Sequence, residues 1–116
     1  PDLKRLDDGD FMQSWGGIAS LELGLAAVWT EAHTRGFTPA HLARWMSEAP
    51  ARLAGLARKG AIAPGHDADL VVWDSDAEWN VDAELLHQRH KLTPYEGRTL
   101  RGRVEATYVR GARVFG

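Results

Sequence analysis

Residues 59–74 read KGAIAPGHDADLVVWD, and they join two different kinds of local chemistry. The first half is turn material. Lys59-Gly60 and Pro64-Gly65 both punctuate the chain, and Pro-Gly favours a type II turn with glycine where φ must be positive. The second half, Leu70-Val71-Val72-Trp73, is a short apolar run bounded by Asp69 and Asp74. Such a run of strand formers predicts a strand buried on both faces. Helical patterning lies before this stretch and strand patterning after it.

Upstream, residues 1–17 are polar and turn-rich with no period, which predicts a loop. Ile18, Leu21, Leu25, Val28, Trp29 and Ala32 then recur at helical spacing, predicting a helix over 18–35 that stops at Arg35-Gly36. Gly24 inside that helix costs about 1 kcal/mol against alanine and suggests a close neighbour. A second helix starts with Thr38 as N-cap, Pro39 in its first position and Phe37 stapled onto Leu42. Its apolar face is Leu42, Trp45, Met46, Ala49 and Leu53. Pro50 either kinks it or opens a short further helix, and Gly55 ends the helical part.

Downstream, Asp74 to Glu78 reads as a polar turn and Trp79 to Val81 as a short extended piece. Asp82 is placed to cap a helix over 83–90, residues 91–102 run extended with turns, and residues 103–115 form a hairpin turning at Gly111. Two helices with wide apolar faces and about four strands do not cover one another. Helix 18–35 and strand 70–73 therefore look like parts of something larger.

The totals exclude several classes. A chain of 116 residues is one domain or a piece of one, and 44% hydrophobic with 26% charged residues is ordinary for a soluble protein. A net charge of -2, with 14 scattered Lys and Arg, gives no electrostatic reason to expect nucleic acid. Without cysteine there are no disulfides or thiolate metal sites. No apolar run approaches membrane-spanning length and no signal pattern opens the chain, so a cytoplasmic location is the default. A start at Pro-Asp-Leu fits initiator removal, or a cut from a longer chain.

Candidate chemistry is sparse. His87 and His90 fall three apart on the predicted helix, a spacing that lets both face one metal, but no partner carboxylate has suitable spacing. Asp74, Asp76 and Glu78 open like a calcium loop that lacks its glycine and distal glutamate, so a plain acidic turn is favoured. His66, Asp67 and Asp69 are either a catalytic cluster or, as favoured here, a turn whose aspartates bond backbone N–H groups. Ser14, Ser20 and Ser47 lack a G-x-S-x-G context. Gly16-Gly17 ahead of a helix either offers backbone N–H groups to a ligand or is a flexible lead-in, the plainer reading.

The run EAPARLAGLARKGAIAPGHDADLVVWD (residues 48–74) resembles the carboxy-terminal signature of the cyclic amidohydrolases, the group that includes dihydroorotase, hydantoinase and allantoinase. WGGIASLELGL at 15–25 and HKLTPYEGRTLRGRV at 90–104 look most like the allantoinase branch. The resemblance implies an α+β piece of a metal-dependent (β/α)8 barrel enzyme. Residues 1–36 would be the end of the barrel (the loop after strand eight, then helix eight), 37–58 linking helices, and 59–116 the C-terminal part of a composite β-sandwich. It implies a parent using two divalent metal ions, zinc by expectation, to hydrolyse the hydantoin ring of allantoin to allantoate in purine breakdown. The family's metal ligands would all lie before Pro1. No catalytic or metal residue carries over to this chain, which alone would be inactive. What carries over is substrate binding by the backbone of Trp15, Gly16 and Gly17, at the amide edge of a small cyclic substrate. A hydantoinase or dihydropyrimidinase activity is the near alternative. A non-catalytic, self-associating structural module is the distant one, and a homo-oligomer is expected.

Overall fold

The computed structural model describes residues 9, 10, 12 and 16–116. Helices come first: α1 (Gly24–Thr34), α2 (Pro39–Ala43), a π-helical segment at Arg44–Glu48, and α3 (Ala49–Leu53). Three strands follow, β1 (Leu70–Asn80), β2 (Thr99–Val109) and β3 (Ala112–Phe115), forming an antiparallel sheet in the order β1-β2-β3. A 3-10 turn at Ala83–Leu85 lies between β1 and β2. The predicted order of helices then strands holds.

Local chemistry explains most boundaries. Both α1 and α3 close with paired hydrogen bonds of the Schellman type: Phe37 N–H to Ala32 C=O with Gly36 N–H to His33 C=O, and Leu56 N–H to Ala51 C=O with Gly55 N–H to Arg52 C=O. Thr38 and Pro39 open α2 as predicted, and His41 Nδ1 accepts the Thr38 backbone N–H at 3.2 Å. Phe37, the residue expected to staple onto Leu42, packs its ring edge-on to His41 and to Trp45, at 4.8 Å from the latter. Pro50 sits in the first turn of α3. Proline lacks the N–H and its ring crowds the carbonyl four residues back, and the widened π turn just before it accommodates both demands. Ala63 C=O accepts His66 N–H across Pro64-Gly65, with Gly65 at φ 85°, which is the type II turn expected there. The β2–β3 loop is two residues, Arg110 and Gly111, both at positive φ, as a type I′ hairpin requires.

Several expectations are corrected. The first helix begins at Gly24, not Ile18, because residues 20–23 form a tighter turn with Leu23 N–H on Ser20 C=O. Ile18 and Leu21 are exposed, and a Cβ on Gly24 would meet nothing within 4 Å. Strand β1 is longer than predicted and not buried on both faces: Val71 and Val72 are 49% and 47% exposed. The expected turn at 74–78 is a bulged part of β1, shaped by Asp74 Oδ1 accepting N–H bonds from Asp76 and Ala77. Asp82 caps Glu84 N–H as predicted, yet the helix over 83–90 is only a 3-10 turn.

The core gathers on one side of the sheet. Leu23, Ala26, Val81, Leu86 and Leu100 form one cluster, with Trp79 and Tyr95 packed on it. Trp29, Ala32 and Leu42 form another, joined by Leu25 and Trp73. Trp29 and Trp73 meet edge-to-face at 5.5 Å, and both rings close over Gly102. A Cβ there would stand 3.0 Å from each indole, and φ is 92°. The bulge in β1 serves this contact, since it presents Ser75 C=O to the Trp29 indole N–H at 2.8 Å.

The hinge between helices and sheet, residues 59–74, is tied down by charge. Asp67 pairs with Arg58 and with Lys59, Lys59 also pairs with Asp69, and Asp69 Oδ1 accepts Arg110 N–H at 2.8 Å. The aspartates do not bond backbone around their own turn as expected: Asp69 accepts from the distant β2–β3 loop, and Asp67 is engaged by cations. Gly60 lies directly on the π segment and α3, where a Cβ would come within 2.7 Å of Ala51 Cβ and 2.9 Å of Ser47 C=O.

Two outcomes follow. Gly102→Ala should lower stability by roughly 2–4 kcal/mol, the sum of overpacking and a left-handed backbone, read from urea denaturation midpoints. The hydrogen bonds from Lys59 hold the carboxyls of Asp67 and Asp69 below the ordinary 3.8, and the same bonds raise Lys59 above 10.5. The carboxylates thus contribute stability that is present above pH 3.8 and lost as pH falls through their depressed values. Lys59 contributes stability that is present below pH 10.5 and lost as pH rises through its raised value. Melting temperature against pH should fall at both ends, and Lys59→Met should flatten both limbs.

Candidate functional site

The loop ahead of α1 is the stretch where backbone is presented and held at once. Gly16, Gly17 and Ile18 are exposed, with Gly17 at φ 85°, a conformation open to glycine. Trp15 lies outside the described residues, as do most of residues 1–15 for which a loop is expected. Ala19 and Ser20 are half-buried, Leu21 is exposed again, and Leu23 is buried. The Thr93 hydroxyl, on a side chain only 5% exposed, donates to Ala19 C=O at 2.7 Å. Glu22 grips His87 twice, its Oε2 accepting the backbone N–H at 2.8 Å and its Oε1 lying 2.9 Å from the ring Nδ1. Leu23 is completely buried in the cluster with Val81 and Leu86.

The segment that receives this loop, residues 86–95, is closed by its own bonds. Lys91 Nζ donates to Leu86 C=O, Gln88 Nε2 donates to Leu92 C=O at 3.2 Å, and Tyr95 N–H reaches Thr93 Oγ1 at 3.4 Å. Thr93 and Glu22 were not among the candidates from sequence, and His87 was one only as a possible metal ligand. Thr93 falls in the Lys-Leu-Thr-Pro-Tyr stretch, whose only sequence signal was resemblance, and no local spacing announces its contact 74 residues away.

The other candidates resolve into structural roles. His87 and His90 do not share a helix; His87 faces Glu22 and stands edge-on to Phe115 with ring centroids 5.4 Å apart. Asp74 is spent on its own backbone, and Asp76 and Glu78 pair with Arg101 at 3.1 and 3.6 Å. Asp67 and Asp69 belong to the ion pairs of the hinge, and the neighbouring His66 Nδ1 is buried with no hydrogen-bond partner among the described residues. Ser20 and Ser47 lie in the pre-helix turn and the π segment. Among the described residues no three His, Cys, Asp or Glu side chains converge to hold a metal ion. No helix of the described residues is long and apolar enough to cross a membrane.

A groove of about 830 Å³ runs between the α2–α3 region and the sheet, past Leu42, Met46, Ala51, Leu56, Ile62 and Val71. It carries apolar surface and no polar constellation beyond the hinge aspartates and Lys59. Substrate chemistry has no foothold there.

Comparison with known proteins fits this arrangement. The chain is 46% identical to an allantoinase of Streptomyces avermitilis over 98% of its length, and 44% identical to an allantoinase of Arabidopsis thaliana over all of it. It spans about a quarter of the length of these relatives, 26% and 23% respectively. Among solved structures it is similar to a D-hydantoinase (dihydropyrimidinase) from a Thermus species, with TM-score 0.86 and 29% identity, covering 98% of this chain and 25% of that one. An L-hydantoinase (dihydropyrimidinase) from Arthrobacter aurescens is similar over 90% of this chain and 24% of its own, with TM-score 0.80 and 33% identity. The sequence model of the Amidohydrolase family matches residues 8–114, and the chain belongs to that family.

Proposed function

We propose that these residues are the C-terminal quarter of an allantoinase, an enzyme that opens the hydantoin ring of allantoin by hydrolysing a cyclic amide C–N bond to give allantoate. The observation that carries this reading is identity of 46% and 44% to two allantoinases across essentially the whole chain. In that enzyme, residues 1–36 are the end of a (β/α)8 barrel, with α1 as its last helix. Residues 37–58 are linking helices, and 59–116 are the C-terminal part of a β-sandwich. Support for this division comes from the apolar side chains left open: Ile18 and Leu21 before α1, Leu53 on α3, and Val71 and Val72 on β1. Faces of that kind belong against more protein, whether the rest of the enzyme or a second copy in a homo-oligomer.

The contribution of this chain to catalysis is recognition. The backbone groups of Trp15, Gly16 and Gly17 line the amide edge of the small cyclic substrate, where donors and acceptors of one planar amide are matched by those of another. The missing side chains at Gly16 and Gly17 leave that backbone approachable. The two divalent metal ions of the parent belong, in this reading, to residues outside this chain, and the 116 residues alone are expected to be inert.

A second reading, hydantoinase or dihydropyrimidinase, is favoured by one observation: the similarity in fold to enzymes of those names, with TM-scores of 0.86 and 0.80. Steady-state hydrolysis by the full-length, metal-loaded protein separates the two. Allantoin should have a kcat/KM at least about tenfold above hydantoin and dihydrouracil, a preference worth about 1.4 kcal/mol in the transition state. A preference for either of the other rings would replace the allantoinase reading with the second. The isolated 116 residues should show no turnover and no stoichiometric metal by elemental analysis; bound metal with turnover would overturn their inertness.

A further inference from the structure

We infer that Thr93 is a positioning residue for substrate binding, holding the Gly16-Gly17 loop from outside the site; the inference rests on the reading of that loop as the amide-edge contact. The geometry is specific. Gly16, Gly17 and Ile18 are exposed while Ala19 is partly buried, so the Thr93–Ala19 hydrogen bond stands at the boundary where the loop leaves the protein. Ala19 is two residues beyond Gly17, and consecutive Cα atoms are about 3.8 Å apart, so fixing the Ala19 carbonyl leaves few dihedrals free between the anchor and the glycines.

The anchor is itself well founded. Thr93 is buried and its hydroxyl also receives Tyr95 N–H, while Tyr95 packs on the cluster that contains Leu23. Three residues after Ala19, the Glu22–His87 pair ties the same loop to the same segment. The two stretches that resemble the allantoinase branch, 15–25 and 90–104, thus meet at one hydrogen bond. Side chains that hold a binding backbone in place reduce the fraction of molecules in the wrong loop conformation, and apparent affinity falls by that fraction when the hold is removed.

Thr93 touches no substrate in this arrangement, so its loss should appear in KM and not in kcat. Thr93→Val keeps the shape and removes the hydroxyl; Thr93→Ser keeps the hydroxyl. Both variants of the full-length enzyme are to be compared with wild type in allantoin kinetics, in hydrogen exchange over residues 16–21, and in urea unfolding. We expect Thr93→Val to raise KM roughly tenfold with kcat within about twofold, the signature of lost uniform binding, and to speed exchange over 16–21. Thr93→Ser should restore both. Unchanged KM and exchange in Thr93→Val would overturn the inference. So would a joint loss of kcat and unfolding midpoint without faster loop exchange, which marks a merely structural threonine. Wild-type enzyme that opens no cyclic amide would overturn the functional reading instead. Exchange alone then decides the anchor, and unchanged rates over 16–21 would remove it.

Discussion

The closure of Trp29 and Trp73 over Gly102 is the contact on which the rest of the structure depends. It brings α1 onto β2, and it does so at a distance only a residue without a side chain permits. Once α1 is seated, its neighbouring groups follow: the Trp29 indole takes Ser75 C=O from the bulge in β1, and Thr30 Oγ1 accepts Arg101 N–H at 2.8 Å. The turn before α1 is then carried to the 86–95 segment, where Leu23, Glu22 and Ala19 all find partners. The position of the Gly16-Gly17 loop is thus a consequence of helix-on-sheet packing, transmitted through a few named bonds.

Much of the fold was legible in the sequence because short-range chemistry decides it. Thr38-Pro39 starts a helix, Gly36 and Gly55 stop helices, Pro64-Gly65 turns, and Arg110-Gly111 closes a hairpin; each outcome depends on residues within four positions of one another. The failures share the opposite cause. Ile18 and Leu21 fit the helical period but are not in α1, because Leu23 is drawn into a cluster with residues 81, 86 and 100 and the preceding turn tightens to reach it. Asp74 to Glu78 has turn composition and yet continues a strand, because β2 is there to pair with both ends of the bulge. Val71 and Val72 read as buried because their type predicts a covered strand, and among the described residues neither is fully covered.

The candidate site was less legible for a physical reason as well. Titratable clusters attract notice in a sequence, and here Asp67 and Asp69 carry ion pairs while His87 pairs with Glu22 rather than with His90. The proposed backbone contact leaves almost no trace beyond glycine, and Thr93 is distinguished by what it reaches in three dimensions. Family membership rests on residues 8–114 as a whole rather than on any single group of side chains.

In the proposed enzyme this chain contributes substrate-binding backbone, held from the 86–95 segment, while the catalytic groups lie elsewhere. The decisive experiment is a structure of the full-length protein with a non-hydrolysed hydantoin bound. The ring amide should lie within hydrogen-bond distance, about 2.9 Å, of backbone groups at Gly16 or Gly17, with the Thr93–Ala19 bond intact. A ring bound with no contact to residues 15–17 would contradict that contribution.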